Sequence, residues 1–296
     1  MTRYVVWLLA ALCLVTAANA QEAENWQFGG YLTGMQSQLF EEADGQWYSD
    51  NLIHHRLNAF WYPTDGLEIS LQARNRLMYG TLKQILPNYS EQATQDQGWL
   101  DLSHDIANEY SYVLNTTLDR AYLNYTTGSF EVTAGRQRIN WGQNFVWNPN
   151  DVFNAYSFFE VDYPERPGSD ALRLQYYTGF ASSLELAAKL DHRERVTASA
   201  MWRFNKWSYD FQLLGGIFRQ DEAFFGAGWS GVIKNAGFRG EISYFHPRHH
   251  WQEKSGTLVA AMGTDYMFAN SLYVLAEAIS HDAGYRVGIS SRLRGE

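Results

Sequence analysis

Apolar and polar residues alternate with a period of two along most of this chain, the pattern of β-strands with one greasy face and one polar face. Ile53, His55, Leu57, Ala59 and Trp61 share one face, and Arg56 and Asn58 the other. After Pro63-Thr64-Asp65-Gly66, Leu67, Ile69, Leu71 and Ala73 alternate with Glu68, Ser70, Gln72 and Arg74. The pattern returns at Ala121–Tyr125, Phe130–Ala134, Leu172–Tyr176, Leu184–Ala188 and Val196–Phe204. It continues through Tyr209–Leu213, Phe225–Trp229, Phe238–Tyr244, Leu258–Met262 and Leu272–Ala276. The series predicts roughly thirteen or fourteen strands, near the about 9–11 residues per strand that a tilted membrane crossing needs.

The connections alternate as well. Short turns are predicted at Thr64–Gly66, Thr127–Ser129, Ala181–Ser183, Asn205–Lys206, Lys234–Ala236 and Ala269–Ser271. Longer loops are predicted at Glu41–Asn51, Thr81–Asn115, Trp141–Asp170, Asp191–Arg195 and Pro247–Gly256. Short turns on one side and long loops on the other are the outer-membrane pattern, with the short turns periplasmic. Trp26, Trp61, Tyr62, Trp202, Phe204 and Trp207 lie near strand ends, where aromatic girdles form. A soluble antiparallel sandwich also alternates, but it need not segregate its long loops.

Composition sharpens this picture. Aromatics make up 16% of 296 residues, and the mean hydropathy is −0.37. Arg3, the apolar run Val5–Val15 and Ala18-Asn19-Ala20 read as a secretory signal peptide over residues 1–20, with cleavage before Gln21. The one cysteine, Cys13, lies inside it, so the mature chain is expected to hold no disulfide. No later apolar run approaches the length of a membrane helix. A formal net charge of −9 argues against nucleic acid as a partner of the chain as a whole. The expected fold is therefore all-β: a transmembrane antiparallel up-and-down β-barrel of about 14 or more strands over residues 21–296. The chain ends Ser291-Arg292-Leu293-Arg294-Gly295-Glu296 and not on an aromatic residue, which reads as a barrel lacking its last strands.

With apolar residues facing lipid, the alternating polar residues face the lumen. An Arg or Lys on the lipid face near the midplane would cost about 2–4 kcal/mol. Arg56, Arg74, Arg76, Arg120 and Arg173 form a basic wall, opposed mainly by Glu68 and Glu131. Later strands contribute Glu185, Asp210, Glu241, Asp265 and Glu277, with Lys189, Arg203 and Arg239. Parity from Phe130, Val132 and Ala134 would point Arg136 and Arg138 at lipid. A bulge at Gly135 is expected to turn both inward. Such arginines either line a pore, where charge sets selectivity, or brace the wall through Arg–Glu pairs.

The long segment after Arg138 carries Asp151, Glu160, Asp162, Glu165 and Asp170 among many aromatics. If it folds into the barrel, Asp151, Glu160 and Asp162 would face the basic wall across an aperture. Phe145, Trp147, Phe153, Tyr156, Phe158 and Phe159 would pin it. If it does not, it packs over the outer rim.

Gly135-Arg136-Gln137-Arg138, then Trp141-Gly142, then Asn148-Pro149-x-Asp151 resembles a segment of Gram-negative outer-membrane barrel families grouped with porins and porin-like polysaccharide-export barrels. The resemblance implies a porin-like barrel in the outer membrane, in contact with its lipid, with no enzymatic activity and no defined solute. The expectation is a channel for passive or weakly selective diffusion of small hydrophilic solutes, with the basic wall pointing to anionic ones among them, and without cofactor or metal. The alternatives are a non-conducting binding, assembly or export barrel working through its loops, and a barrel-embedded lipase.

Catalytic and metal motifs are weak. Ser230 in Gly228-Trp229-Ser230-Gly231 lacks the second half of a nucleophile elbow. His54 and His55 are adjacent on a strand and point to opposite faces, and His246-Pro247-Arg248-His249-His250 reads as an exposed loop. Asp101–Asp105 opens like a calcium loop, but Ile106 stands where glycine is needed and Tyr112 where the bidentate Glu should be.

Overall fold

The computed structural model describes residues 25–40, 45–154, 167–249 and 251–282. The expected signal peptide, Glu160, Asp162, Glu165, Tyr156, Phe158, Phe159 and the final residues 283–296 lie outside them. The described residues form one 14-stranded antiparallel sheet in which strands pair in sequence order, except that the third strand pairs with the fifth and the fourth pairs with the fifth off this path. Its strands are β1 (Trp26–Phe40), β2 (Trp47–Thr64), β3 (Leu67–Tyr79), β4 (Ser103–Asn108), β5 (Tyr112–Thr127) and β6 (Phe130–Gln137). Then come β7 (Ser169–Gly179), β8 (Ser182–Leu190), β9 (Val196–Lys206), β10 (Tyr209–Phe218), β11 (Glu222–Ile233), β12 (Ala236–Pro247), β13 (Thr257–Met267) and β14 (Tyr273–Asp282). Among the described residues, β1 and β14 are the free edges of the meander.

The alternation holds through the pairing. Cross-strand rows such as Leu57–Ala73 and Leu123–Ala134–Leu172 place apolar side chains together on one face. On that face Leu123 is 42%, Leu186 54% and Phe225 63% exposed. The other face holds buried polar residues, among them Arg56, Gln72, Glu185, Gln212 and Glu241. The exposed face is greasy and the covered face polar, the inverse of a soluble sandwich core. The short-turn ends of the strands carry the aromatic row. Trp26 stacks on Trp61 and Phe28, and Phe204 on Phe211, with Trp202 tilted against Phe204. The β9–β10 hairpin turns through Trp207 and Ser208, both at positive φ, as a two-residue turn matched to strand twist demands.

Residues 81–115 are more structured than the expected loop. They hold α1 (Thr81–Ile85), α2 (Tyr89–Thr94), β4 and the start of β5. β4 pairs with β5 from Ser103–Thr117 to Asn108–Val113, above the point where β5 pairs with β6. Tyr89 packs with Leu52, Met78 and Val113, and Leu82 and Ala93 join them. Leu52 and Met78 share the parity of Arg56 and Arg76, so this excursion folds against the inner wall. No helix among the described residues is long and apolar enough to cross a membrane.

A candidate constriction site

Residues 139–154 follow β6 and turn into the concave side of the sheet. Ile139, Trp141, Val152 and Phe153 are buried with Ala171, Ala187, Met201, Leu214 and Phe224, which lie on the inner faces of β7 to β11. Trp141 and Phe153 meet edge to face at 4.8 Å. The Trp141 indole N–H donates to Glu185 at 2.5 Å, and its carbonyl accepts from Gln212 at 2.8 Å. Gly226 and Gly228 leave room for Asn150, whose side-chain atoms would lie 2.6 and 3.1 Å from a Cβ at those positions. Asn150 in turn donates to the Ala227 carbonyl and accepts from Ser243.

Two wall carboxylates hold the main chain. Glu241 accepts from the backbone N–H groups of Gln143, Asn144 and Asn150. Glu277 accepts from those of Phe145 (2.7 Å), Val146 (2.9 Å) and Trp147 (3.1 Å). Five successive N–H groups thus converge on two carboxylates, a main-chain nest for anions. Arg239 pairs with Asp265 and lies 3.9 Å over the Phe145 ring, which fixes the exposed side of the segment. Lys189 and Ser169 both donate to the Phe153 carbonyl.

The basic wall lies on the same face of the sheet, on β2, β3 and β5, and its arginines are engaged. Arg56 is 1% exposed and donates to Asn58, Gln72 and Asp119, the last at 2.5 Å. Asp119 also pairs with Arg120, 3% exposed, at 3.3 Å. A register shift between Gln72 and Ala73 leaves Asp119 as the extra residue of β5. The bulge sets Asp119 and Arg120 consecutively beside Arg56. Arg76 donates to the Ala93 carbonyl of α2 and to Asn115. Arg173 pairs with Glu185 at 2.8 Å and donates to Gln175. Arg74 lies directly opposite Arg56 and is half-buried.

Three expectations need correction. No register shift occurs at Gly135, so the expected bulge is absent and Arg136 keeps the parity of Ala134. It is a wall residue. Its guanidinium meets Asp170 at 2.7 Å and Asp96 at 2.5 Å, and donates to the Leu100 and Leu118 carbonyls. The pairing is tight because Gly98 runs against it. Arg138 lies past the end of β6 and is exposed. Asp151 is 5% exposed within the packed side of the segment and so does not front an aperture. Asp119 replaces Glu68 and Glu131 as the main counter-charge. Those two accept instead from Tyr122, and from Asn124 and Tyr177, nearer the periplasmic turns.

Asp119 was detectable in the sequence. Val113, Asn115, Thr117 and Asp119 share odd numbers with Ala121, Leu123 and Tyr125, so a continuous strand would put both sets on one face. The change of character between Asp119 and Ala121 marks a phase slip. The roles of Glu241 and Glu277 left no such mark, because their partners are main-chain groups more than ninety positions away.

Other candidate chemistry falls into structural roles. Ser230 sits within β11 opposite Asp210 and Arg239. His54 faces inward and is buried, while His55 faces outward beside Asn75. His246 is held between Tyr244 and the Trp251 carbonyl. Among the described residues no group of three or more His, Cys, Asp or Glu could hold a metal ion.

No family model matches this sequence, and no curated protein does. Among solved structures, the chain is similar to Pseudomonas putida OprB in its low-pH structure. The identity is 10% over 87% of this chain and 88% of that one, with a TM-score of 0.33. It is similar also to a mutant of the Rh. blastica porin, at 10% identity over 86% of this chain and 94% of that one, with a TM-score of 0.35.

Proposed function

We propose that this chain is an outer-membrane channel for small hydrophilic solutes, narrowed from one side by residues 139–154 and at its mouth by residues 81–94. The N-terminal twenty residues would export it, and lipid would cover its outward face. The greasy outward face, the aromatic row at the periplasmic ends and the polar inward face support the membrane placement. The observation that carries the reading is the grip of Glu241 and Glu277 on five successive backbone N–H groups. It holds the segment against the inward face of β12 and β14, as a constriction requires.

The electrostatics favour weak selectivity. Arg136, Arg173 and Arg239 each have a carboxylate of their own at ion-pair distance and Arg56 and Arg120 share that of Asp119, which lowers the field of the basic wall without cancelling it. Arg74 lies half-buried on the inward face opposite Arg56, and Arg138 stands exposed where the segment leaves β6. This reading assigns passage and no catalysis.

Conductance of the purified chain in planar bilayers tests it. Stable steps with a modest anion preference are expected, and Arg74→Glu should shift the reversal potential towards cations. Insertion without conductance would replace the channel by a plugged barrel that works through residues 81–111 and 139–170.

A further inference from the structure

Ion pairs hold Arg56, Arg120, Arg136, Arg173 and Arg239 on the strands and Arg195 in the β8–β9 turn, the last 2.8 Å from Asp191. Lys189 and Arg219 have no carboxylate at that distance among the described residues. Lys189 points inward near the end of β8 that lies away from the aromatic row, and it is half-buried. Its ammonium donates to the Phe153 carbonyl. An ammonium carries three donors, and that carbonyl uses one. Arg219 opens the turn after β10 and is exposed. Its guanidinium lies 4.9 Å over the Phe218 ring and donates to no acceptor among the described residues. Phe153 belongs to the buried cluster against which Phe218 packs, so the two cations stand on one apolar floor.

The strand register sets them side by side. Lys189 is opposite Thr197 of β9, and the buried Thr197 hydroxyl accepts from the Arg219 backbone N–H at 3.1 Å. Neighbouring strands lie about 5 Å apart, so the two main chains are about 10 Å apart. Two long side chains reaching across that span leave room for one small anion between their tips. The charges that act on Lys189 are those of Arg219 and Arg195, and of Asp191 and Asp170. Asp191 is committed to Arg195, and Asp170 to Arg136. Glu222, opposite Phe218 at the start of β11, acts on Arg219 but stays beyond ion-pair distance. Two neighbouring cations without counter-ions repel one another, and an anion bound between them removes that repulsion.

We infer that Lys189 and Arg219 form a binding site for a compact oxyanion, inorganic phosphate or the phosphate group of a small solute, beside the point where the inward segment ends. This rests on the channel reading above. A guanidinium fork fits two phosphate oxygens, and the ammonium meets a third as a point charge. A carboxylate has only two oxygens, which one fork satisfies. The apolar floor keeps water from beneath the anion, which strengthens the attraction. The site is distinct from the ladder of Arg56, Arg74 and Arg120 on β2, β3 and β5, and it gathers anions ahead of the constriction.

Calorimetric titration of the full chain in detergent with inorganic phosphate at low ionic strength, against chloride at matched ionic strength, provides the test. Saturable phosphate binding that chloride does not reproduce is expected. Arg219→Gln leaves the donors to the Phe153 carbonyl in place and should weaken binding about tenfold or more. Arg219→Lys should retain most of it, and Lys189→Met should weaken it as Arg219→Gln does. Lys234→Gln, in the turn at the other end of β11, is the control that should change nothing. Absence of saturable phosphate binding, or an Arg219→Gln variant that binds like the wild type, overturns the site. Conductance of the same preparation separates the two readings. A chain that conducts without binding phosphate leaves the channel standing, and one that binds phosphate through Arg219 without conducting keeps the site and overturns the channel.

Discussion

Asp119 meets Arg56 at 2.5 Å across the full width of β3, and both side chains are almost completely buried. The contact exists because β5 carries one residue more than its neighbour requires. The bulge supplies a carboxylate that both Arg56 and Arg120 meet, so this part of the arginine ladder depends on a local fault in strand register.

Removing that carboxylate should be severe. Asp119→Ala leaves Arg56 charged and buried without its closest anion, and breaking a buried pair from one side costs about 3–5 kcal/mol. Denaturant unfolding in detergent would show it as a lowered midpoint. Replacing both residues by leucine should recover most of the loss, because an apolar pair of that kind is often neutral. A double variant as unstable as the single would refute the pairing as the cause.

Glu277 should govern how firmly the segment is seated. In Glu277→Ala the N–H groups of Phe145, Val146 and Trp147 lose their acceptor, at about 1–3 kcal/mol for each group left unsatisfied. The expected result is a larger, noisier single-channel conductance with an unchanged strand content by circular dichroism. Amide exchange at residues 145–147 should accelerate in step. Unaltered conductance would remove the segment from the conduction path.

The aromatic anchor should be separable from that clasp. Trp141→Ala empties a fully buried site beside Phe153 and removes a donor from Glu185, a loss of about 3–5 kcal/mol from the cavity alone. Limited proteolysis should then cut within residues 139–154 while the strands resist. Cleavage spread evenly through the chain would mean that the segment is integral to the sheet.

Acid should loosen the β8–β9 turn first. Burial opposes the charge of Asp191, but the Arg195 guanidinium and the main-chain N–H groups of Arg195 and Arg193 more than offset this, so its carboxyl titrates below the ordinary carboxylate range. A depressed folded pKa means that the stabilisation is complete above the unfolded value, about 3.9. It is lost as pH falls through the lower folded one. Asp191 also bridges Gly98, and His192 donates to the Gln97 carbonyl, so the turn anchors the excursion between β3 and β5. Exchange at the Arg193, Arg195 and His192 amides, corrected for its intrinsic pH dependence, should rise below about pH 4. Asp191→Asn should show the same rise at neutral pH.

Much of this was legible in the sequence. Parity alone placed Arg56, Arg74, Arg76, Arg120 and Arg173 on the inner face and Leu57, Leu71 and Leu174 on the outer one, because a β-strand has only two faces to offer. The connections were legible for the same reason, since turn residues interrupt a period of two. Parity failed at Arg136, where an expected bulge was invoked to keep charge from lipid. The chain instead brings Asp96 and the Leu100 carbonyl over the guanidinium, a solution set by residues in a different loop. The helices α1 and α2 were missed because they are short and lean on Leu52, Met78 and Val113 for stability, not on their own periodicity. The segment after Arg138 was expected, if it folded inward, to set carboxylates against the basic wall. Residues 143–147 are held instead by backbone N–H groups on Glu241 and Glu277, and hydrogen bonds to main chain leave no trace in side-chain chemistry.

That last feature has an evolutionary corollary. A clasp that grips the polypeptide asks of positions 143–147 only an amide hydrogen, and the further demands there come from Asn144, which donates to the Trp147 carbonyl, and from Phe145 under Arg239. Gln143 and Val146 are thus open to change, provided neither becomes proline, while the requirement of the clasp itself passes to two acidic residues on distant strands.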